Sequence, residues 1–358
     1  MNKPSFSVIT PCYNVENYVT QALKSILNQD YDGDIEYIIV DDGSTDNTWN
    51  EICKLIAKEN NKKNIITIRH NQNKGVAAAT DTACQHSTKD WIVKADADDI
   101  QMPDRLSTYA QIIQKYPQIC AVELACQRIK ENGEPYEFIP FASQSYNISE
   151  YIQESALQRY QGRLGINNEP CFLDFGGTVA FKRNLFLKWG NLVNTENTQR
   201  FSDDTVWGTR YSLSGPIAGA NILACLYRSR STGNLEYRSK GNSYSNMIQN
   251  ELNSSNSMKV KAESFKTAKL CCYRALNDAT LSDWNHEHIR QFAQKNQQYE
   301  LYFSVRSNWW NWSWFKRINW YIHNKNKLIP QHQKWCFLRL LPLCIVAIIK
   351  SIKSKYSK

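Results

Sequence analysis

The first 125 residues alternate short apolar runs with segments in which apolar residues recur at helical spacing. The apolar runs predict buried strands at Phe6–Thr10, Tyr37–Val40, Ile65–Ile68 and Trp91–Lys94. A helix is expected after each strand, with Ser44 or Thr45 capping the second helix. Short strands that alternate with helices form a mostly parallel, Rossmann-like sheet with helices on both faces. Such α/β sheets bind ligands beyond the carboxyl ends of their strands.

The pattern changes along the rest of the chain. Residues 131–170 carry only a weak signal of loops and one helix. Strands are then expected at Thr178–Phe181 and Ile217–Tyr227, with a helix at Asp203–Leu213 between them. Beyond Asn242 the pattern is helical. These changes predict an α/β body followed by a helical C-terminal region.

Cysteine usage and the N-terminus indicate the cell compartment. The 11 cysteines are scattered, and none forms a C-x-x-C pair. An odd number without metal-ligand spacing favours reduced thiols over a disulfide framework or a zinc site. The first seven residues hold no apolar core of an export signal. We therefore expect a cytoplasmic protein.

The positive charge is concentrated in the last part of the chain. The net charge is +9, yet residues 301–358 hold 11 Lys and Arg and no acid, so the body is near −2. Six of the 11 tryptophans lie there as well, and an apolar run at Leu340–Ile349 is too short to span a bilayer. Aromatic and basic residues together favour a tail at about 309–358 that lies on an anionic membrane face. The alternatives are packing of this run on the body and, with less support, binding of nucleic acid.

Carboxylates follow two of the predicted strands and open a later helix. They are Asp41 and Asp42, then Asp96, Asp98 and Asp99, then Asp203 and Asp204. An anionic ligand at this edge requires a hard cation, Mn²⁺ or Mg²⁺, between the carboxylates and the ligand. Asp96-Ala97-Asp98 is expected to be extended, with both carboxylates on one side. Taken alone, each group also fits a solvated turn or an ordinary helix start.

Four ordered motifs give these carboxylates a context. They are Ser7-Val-Ile-Thr-Pro-Cys-Tyr-Asn14, Ile38-Ile-Val-Asp-Asp-Gly-Ser-Thr-Asp46, Asn71-Gln-Asn-Lys-Gly75 and Trp91-Ile-Val-Lys-Ala-Asp-Ala-Asp-Asp99. The set resembles the N-terminal domain of family 2 glycosyltransferases of the GT-A fold, over about residues 5–230. The resemblance implies a GT-A domain at 1–240, with a nucleotide-binding half at 1–125 and an acceptor half at 126–240. A helical region at 241–358 follows.

The resemblance also implies residue roles on the donor side. Contacts with the nucleobase and ribose of a nucleotide-sugar, with UDP-sugar favoured, are implied for Pro11, Tyr13, Glu16 and Asp42, with Asp41 as the alternative to Asp42. Asn73 and Gly75 are expected to shape a loop beside the nucleotide. Asp96 is expected at the ribose and near the metal, and Asp98 is expected to ligate the metal.

On the acceptor side, Asp203-Asp204 resembles the Glu-Asp pair of the family. The match implies Asp204 as the general base, beside Asp203, in an inverting transfer to a glycan or lipid-linked acceptor. Membership of the bacterial surface-polysaccharide type would place the chain on the inner face of the cell membrane.

Four positions depart from the family pattern. Thr80 and Asp81 replace a common Arg-Asn pair, and Asp203 replaces a Glu. Arg230 occupies a position where a histidine is common and ligates the metal in some members. A guanidinium cannot ligate a cation, but it could bind the diphosphate. The departures leave open a catalytically inactive, glycosyltransferase-like scaffold subunit.

Overall fold

The computed structural model describes residues 3–59, 64–141, 150–164, 176–192, 203–230, 262, 265–308, 314–328 and 330–338. The chain divides into two compact units. The first consists of Met1–Glu236 and Leu270–Phe292, and the second of Tyr237–Lys269 and Ala293–Lys358.

The first part of the chain is a regular alternation of strands and helices. In order, its elements are β1 (Phe6–Cys12), α1 (Val19–Leu27), β2 (Ile35–Asp41), α2 (Thr48–Glu59), β3 (Asn64–Arg69), α3 (Val76–His86) and β4 (Trp91–Lys94). All four predicted strands are therefore present, and β4 has the predicted bounds. Residues Ile9, Ile38 and Ile92 are fully buried because helices cover both faces of the sheet.

The next part of the chain is richer in strands than the sequence pattern indicates. It contains β5 (Ile100–Gln101), α4 (Arg105–Lys115), β6 (Ala121–Ile129), β7 (Pro135–Ile139), β8 (Glu150–Gln153), α5 (Ala156–Leu164), β9 (Val179–Lys182), α6 (Arg183–Trp189), α7 (Asp203–Ser214) and β10 (Ile217–Arg228). The predicted α7, β9 and β10 are confirmed within two residues at each end. Strands β6, β7 and β8 had no clear sequence signal, since Tyr136 and Phe138 of β7 are exposed rather than buried.

All ten strands form one sheet. Its order is β3-β2-β1-β4-β9-β6-β10-β5, with β7 beside β6 and β8 beside β10. The three longest ladders, β6–β10, β1–β2 and β2–β3, are parallel. Strand β9 is antiparallel to both β4 and β6, so β6 and β10 point in the same direction as β4. The carboxyl ends of β1, β2, β4, β6 and β10 therefore lie at one edge of the sheet.

A buried carboxylate holds the opposite edge together. Glu36 accepts hydrogen bonds from Ser7 Oγ (2.6 Å), Thr88 N (2.5 Å) and Thr88 Oγ1 (2.8 Å). These bonds join β1, β2 and the segment that enters β4. A buried carboxylate is tolerated only when its oxygens are hydrogen-bonded in this way.

The predicted cap of α2 is wrong. Asp46 Oδ1, rather than Ser44 or Thr45, accepts from the backbone N–H of Thr48, the first residue of the helix (3.0 Å). Ser44 Oγ instead accepts from Asn14 N at 3.0 Å. The helix begins two or three residues later than a cap at Ser44 or Thr45 predicts, because residues 44–46 are used to join the loops after β1 and β2.

The C-terminal region is helical, as predicted. It contains a helix over 265–277 (α8), then α9 (His286–Asn308), α10 (Trp314–Asn324) and α11 (Pro330–Leu338). In the second unit, the His332 ring stacks on Tyr302 with ring centroids 3.6 Å apart, beside Val305, Leu328 and Cys336. None of the helices in the described ranges has the length and apolarity to cross a bilayer. Trp309, Trp310, Trp312 and the run Leu340–Ile349 lie outside the described residues.

Candidate active site

Three groups of carboxylates meet the carboxyl edge of the sheet. Asp41 ends β2 and Asp42 follows it, while Asp96, Asp98 and Asp99 follow β4. Strands β2 and β4 both pair in parallel with β1, so these two groups flank the end of β1. The third group opens α7, and Lys94 connects Asp204 of that group to Asp96. The structure therefore brings Asp42, Asp96, Asp98 and Asp204 to the same edge of the sheet.

Asp42 holds the loop that contains Asn73 and Gly75. Its Oδ1 accepts from Lys74 N (3.0 Å) and lies 2.7 Å from His70 Nδ1, and its Oδ2 accepts from Gly75 N (2.7 Å). The Asp42 side chain is buried, and Asn73 is half-buried. Asp42 thus fixes the loop expected beside the nucleotide.

Gly43 makes this close approach possible. Its φ is +68°, and a Cβ at this position would lie 2.5 Å from the backbone carbonyl carbon of Gln72 and 2.7 Å from Asn73 N. A side chain at this position would be costly, because the left-handed conformation strains a residue with a Cβ and the loop leaves no room for one. Gly43 therefore allows the backbone of Gln72 and Asn73 to pack closely against it.

The remaining residues predicted on the donor side differ in exposure. Asp41 is fully buried, with Oδ2 2.9 Å from Arg69 Nε. Pro11 is half-buried, and Tyr13 is 42% exposed at the end of β1. Glu16 is exposed, and its Oε2 accepts from Asn47 N at 2.8 Å, so it supports the start of α2. The loops thus leave Tyr13 accessible and give Asp41 and Glu16 structural contacts.

The segment after β4 is a turn and not the expected extended segment. Asp99 N donates to Asp96 O at 3.3 Å, which closes a turn through Ala97 and Asp98. The buried Arg105 fixes its start by donating from Nη2 to Lys94 O at 2.9 Å. Arg105 also donates to Tyr109 Oη, which donates to Thr178 O at 2.6 Å. The turn allows Asp96, Asp98 and Asp99 to have different partners.

Lys94 lies between Asp96, which follows β4, and Asp204, at the start of α7. Its Nζ is 3.3 Å from Asp96 Oδ1 and 3.2 Å from Asp204 Oδ1. The side chain of Lys94 is only 8% exposed, whereas that of Asp204 is 41% exposed. A buried ammonium needs such partners to offset the loss of its hydration. Lys94 therefore connects the end of β4 to the start of α7.

Asp98 is paired with Arg230. The Nε of Arg230 lies 2.7 Å from Asp98 Oδ2, and the two side chains are 24% and 19% exposed, respectively. The guanidinium carbons of Arg228 and Arg230 lie 5.1 Å and 5.9 Å from the centre of the Tyr18 ring. Burial raises the pKa of Asp98. The positive charge of Arg230 lowers it, and the negative charge of Asp96 raises it. Arg230 thus favours the charged form of Asp98.

Asp99 is a buried carboxylate that contacts the backbone of Arg228. Its Oδ1 accepts from Arg228 N at 2.8 Å, and burial, with smaller effects of Cys225, Asp98 and Asp96, holds the pKa of Asp99 well above its usual range. Its Oδ2 is buried without a hydrogen-bond partner among the residues that the structure describes. A Cβ at Gly177 would lie 3.1 Å from Asp96 Oδ2 and 3.3 Å from this oxygen. Gly177 therefore lets the turn that leads into β9 approach the carboxylates.

The carboxylates after β4 fit a divalent cation that takes most of its ligands from a bound substrate. In the described ranges, no three Asp, Glu, His or Cys side chains are arranged to hold a metal ion. Mg²⁺ is usually bound by one or two carboxylates together with substrate phosphates. Burial is the main cause of the raised pKa of Asp98, and the charge of Asp96 adds to it. A bound cation would offset both effects.

Several residues of the site were not predicted from the sequence. Lys94 and Asp99 lie inside a quoted motif but had no assigned role, and Arg228 and His70 had none either. The only sequence signal for Lys94 was a charged residue at the end of an apolar strand, since its partner Asp204 is 110 residues away. Asp203 begins α7, and its side chain lies outside what the structure describes.

The sheet, with acidic groups at the ends of β2 and β4, defines the GT-A class of glycosyltransferases. The family model "Glycosyl transferase family 2" matches residues 7–187, from β1 to α6. The chain belongs to glycosyl transferase family 2, and it is a glycosyltransferase enzyme.

Known relatives and a solved structure agree with this assignment. The chain is 29% identical to glycosyltransferase GlyG of Streptococcus pneumoniae over 226 residues, 63% of this chain and 71% of GlyG. It is 30% identical to chondroitin synthase of Pasteurella multocida over 151 residues, 42% of this chain and 14% of the synthase. The crystal structure of S. aureus TarS 1–349 with UDP-GlcNAc superposes with a TM-score of 0.55, at 17% identity, over 94% of this chain and 82% of TarS 1–349. At this identity, the similarity to TarS establishes the fold.

We expect Gly43→Ala to lower the free energy of unfolding by about 3 kcal/mol. The left-handed backbone costs about 1–2 kcal/mol with an L-residue, and displacement of the loop backbone adds about 1–3 kcal/mol. Gly133→Ala is the control, because Gly133 also has a positive φ (+90°) but a Cβ there would meet nothing within 4 Å. Urea denaturation of both variants measures the difference. Equal losses would show that the approach of residues 72–73 to Gly43 is unimportant.

Proposed function

We propose that this enzyme transfers a sugar from a UDP-sugar, with inversion and with the help of a divalent cation, to a hydroxyl of a glycan or lipid-linked acceptor. The observation that carries this proposal is the position of Lys94 between Asp96 and Asp204. It brings a carboxylate of the donor-side motif and the candidate base within reach of one ammonium group. Donor and acceptor chemistry can then occur at adjacent points of the edge.

The donor would lie across the ends of β1, β2 and β4. Pro11 and the exposed Tyr13 would contact the nucleobase and ribose, and the buried Asp42 would hold the loop of Asn73 and Gly75 beside them. Asp41 and Glu16, which make structural contacts, would act through the positions of their loops. The crystal structures of the similarly folded S. aureus TarS 1–349 in complex with UDP and with UDP-GlcNAc support a uridine nucleotide.

Asp98 and Asp96 would hold the cation, Mn²⁺ or Mg²⁺. When bound, it would neutralise the charge that develops on the leaving diphosphate. Asp96 would also reach the ribose. Arg228 fixes this part of the edge, since it donates from Nε to Asp98 O (2.9 Å) and from N to Asp99 Oδ1 (2.8 Å).

Asp204 would remove the proton from the acceptor hydroxyl as its oxygen attacks the anomeric carbon. The new bond forms on the face opposite the diphosphate while the bond to the diphosphate oxygen breaks, so the configuration inverts. Lys94 would hold the Asp204 carboxylate in position at the start of α7. Asp203, directly before Asp204, would support its position at the start of α7.

The acceptor and the cellular location follow from weaker observations. A relative named chondroitin synthase supports a role in polysaccharide synthesis, here at the bacterial surface. The basic tail would hold the enzyme on the cytoplasmic face of the inner membrane, and α10 exposes Ile322 (60%). Nucleic acid is not expected as a partner because the body is nearly neutral.

The scaffold hypothesis has one observation in its favour. Arg230 occupies Asp98 Oδ2, which a cation would otherwise ligate. A purified wild-type chain that neither transfers nor hydrolyses any of a panel of nucleotide sugars with Mn²⁺ would support it. Release of nucleoside diphosphate would exclude it.

Asp98→Asn and Asp204→Asn are expected to lower kcat at least about 100-fold, because one weakens charge neutralisation and the other removes the base. The measurement is nucleoside diphosphate release from the nucleotide sugar that gives the largest thermal shift with Mn²⁺. Asp32→Asn is the control, since Asp32 pairs with Lys3 on the surface near the opposite edge. Full activity of both site variants would refute the proposed mechanism.

Lys94→Met is expected to lower kcat about 100-fold, because a misplaced catalytic group loses about that much rate. Lys94→Arg should restore part of this loss because it keeps the positive charge. Lys89→Met is the control at the other end of β4, where Lys89 pairs with Asp34 at 2.7 Å. Steady-state kinetics of the three folded variants provide the comparison. Wild-type kcat in Lys94→Met would exclude the link between Asp96 and Asp204.

The full chain is expected to sediment with vesicles that contain phosphatidylglycerol and not with vesicles of phosphatidylcholine alone. Each basic residue near an anionic surface contributes about 1 kcal/mol, and salt screens this attraction. Added salt should therefore release the protein. Removal of residues 339–358, which hold five of the basic residues of the tail, should weaken binding. Equal binding to both kinds of vesicle would contradict the proposed membrane surface.

A further inference from the structure

Arg230 occupies a carboxylate oxygen that the proposed cation also needs. Its Nε lies 2.7 Å from Asp98 Oδ2, and both side chains are mostly buried. A guanidinium donates hydrogen bonds but has no lone pair for a metal. Arg230 and a divalent cation therefore compete for the same oxygen.

The contacts of the Arg230 side chain allow it to move away from Asp98. The contact with Asp98 is made by Nε, and the Arg230 side chain is 24% exposed. The guanidinium carbon lies 5.9 Å from the centre of the Tyr18 ring, a contact without strict directional requirements. In the described part of the chain, the ion pair with Asp98 is therefore the charged contact that Arg230 gives up when it moves.

The backbone near Arg230 is fixed, in contrast to its side chain. Arg228, two residues before, donates from Nε to Asp98 O (2.9 Å), from Nη1 to Glu131 O (2.8 Å) and from Nη2 to Gln21 Oε1 (2.9 Å). Its backbone N–H donates to Asp99 Oδ1 (2.8 Å). Displaced from Asp98, the Arg230 guanidinium would therefore stay beside the turn that holds the cation.

Displacement of Arg230 leaves its positive charge available for an anion. A nucleoside diphosphate that arrives with its cation brings phosphate oxygens to the same place. Guanidinium and phosphate form short, paired hydrogen bonds that are stronger than bonds between neutral groups. Arg230 can thus pair with a carboxylate before the nucleotide binds and with a phosphate afterwards.

We propose that Arg230 is a resident counter-ion of Asp98 that exchanges this carboxylate for the diphosphate of the donor when the cation binds. The inference rests on the proposed function and extends it to the order of contacts in the site. Arg230 opposes binding of the cation alone and favours binding of the cation together with the nucleotide. No bond is made or broken in the exchange other than ion pairs and hydrogen bonds.

The two roles predict opposite effects of one substitution. Arg230→Gln should bind Mn²⁺ alone about threefold more tightly, because a competing ion pair of modest strength is lost. The same variant should bind UDP in the presence of saturating Mn²⁺ about tenfold more weakly, because the contact with the diphosphate is lost. Arg230→Lys keeps the charge and should give intermediate values with both probes.

Isothermal titration of the full chain with MnCl₂, and then with UDP at saturating MnCl₂, measures both effects without a turnover assay. Arg290→Gln is the control, because it removes the same charge from an exposed position of α9 and should leave both affinities unchanged. Circular dichroism of each variant verifies the fold. A merely structural role for Arg230 would weaken both affinities together.

Unchanged or weaker binding of Mn²⁺ alone by folded Arg230→Gln would overturn the counter-ion role. Tighter Mn²⁺ binding with unchanged UDP affinity would overturn the exchange. A wild-type chain that binds Mn²⁺ but no nucleotide sugar refutes the proposed function instead, and the exchange with the diphosphate is refuted with it. These outcomes differ, so failure of the inference is distinguishable from failure of the function.

Discussion

Repulsion among the carboxylates after β4 is the constraint on which the rest of the site depends. Asp96, Asp98 and Asp99 lie within four residues, partly or fully out of water, and burial raises the pKa of both Asp98 and Asp99. Each carboxylate has a cationic or N–H partner: Lys94 for Asp96, Arg230 for Asp98 and the backbone N–H of Arg228 for Asp99. These partners come from the end of β4, from the end of β10 and from the residue two positions after β10, so the turn is connected to both parts of the sheet.

The nucleotide side of the edge is built on a different principle. There, Asp42 is satisfied by backbone N–H groups and by His70, without a Lys or Arg partner in the described part of the chain. Such bonds fix a loop in one conformation, and Gly43 permits the close contact that they require. Backbone hydrogen bonds thus hold the loop beside Asp42, whereas ion pairs hold the carboxylates after β4.

The sequence was sufficient for the parallel half of the sheet and for the main carboxylates. Apolar runs such as Trp91–Lys94 are nearly independent of tertiary context, and the order of motifs made Asp98 stand out. Residues whose roles depend on distant partners were out of reach. Lys94 acts through Asp204, and Arg228 through Gln21 and Glu131. The turn at Asp96–Asp99 also escaped prediction, because alternating Asp and Ala fits an extended segment equally well when the anchoring Arg105 is unknown.

The contact of Lys94 with Asp204 has a consequence for how relatives of this enzyme can diversify. Recombination of gene segments at a junction between residues 94 and 204 would join the partners of this ion pair from two different parents. A grafted segment would have to present an acid to an ammonium that already pairs with Asp96. A segment whose acid normally lies beside a neutral residue would arrive with the wrong local charge. The buried lysine therefore restricts which segments of relatives can replace the residues around Asp204.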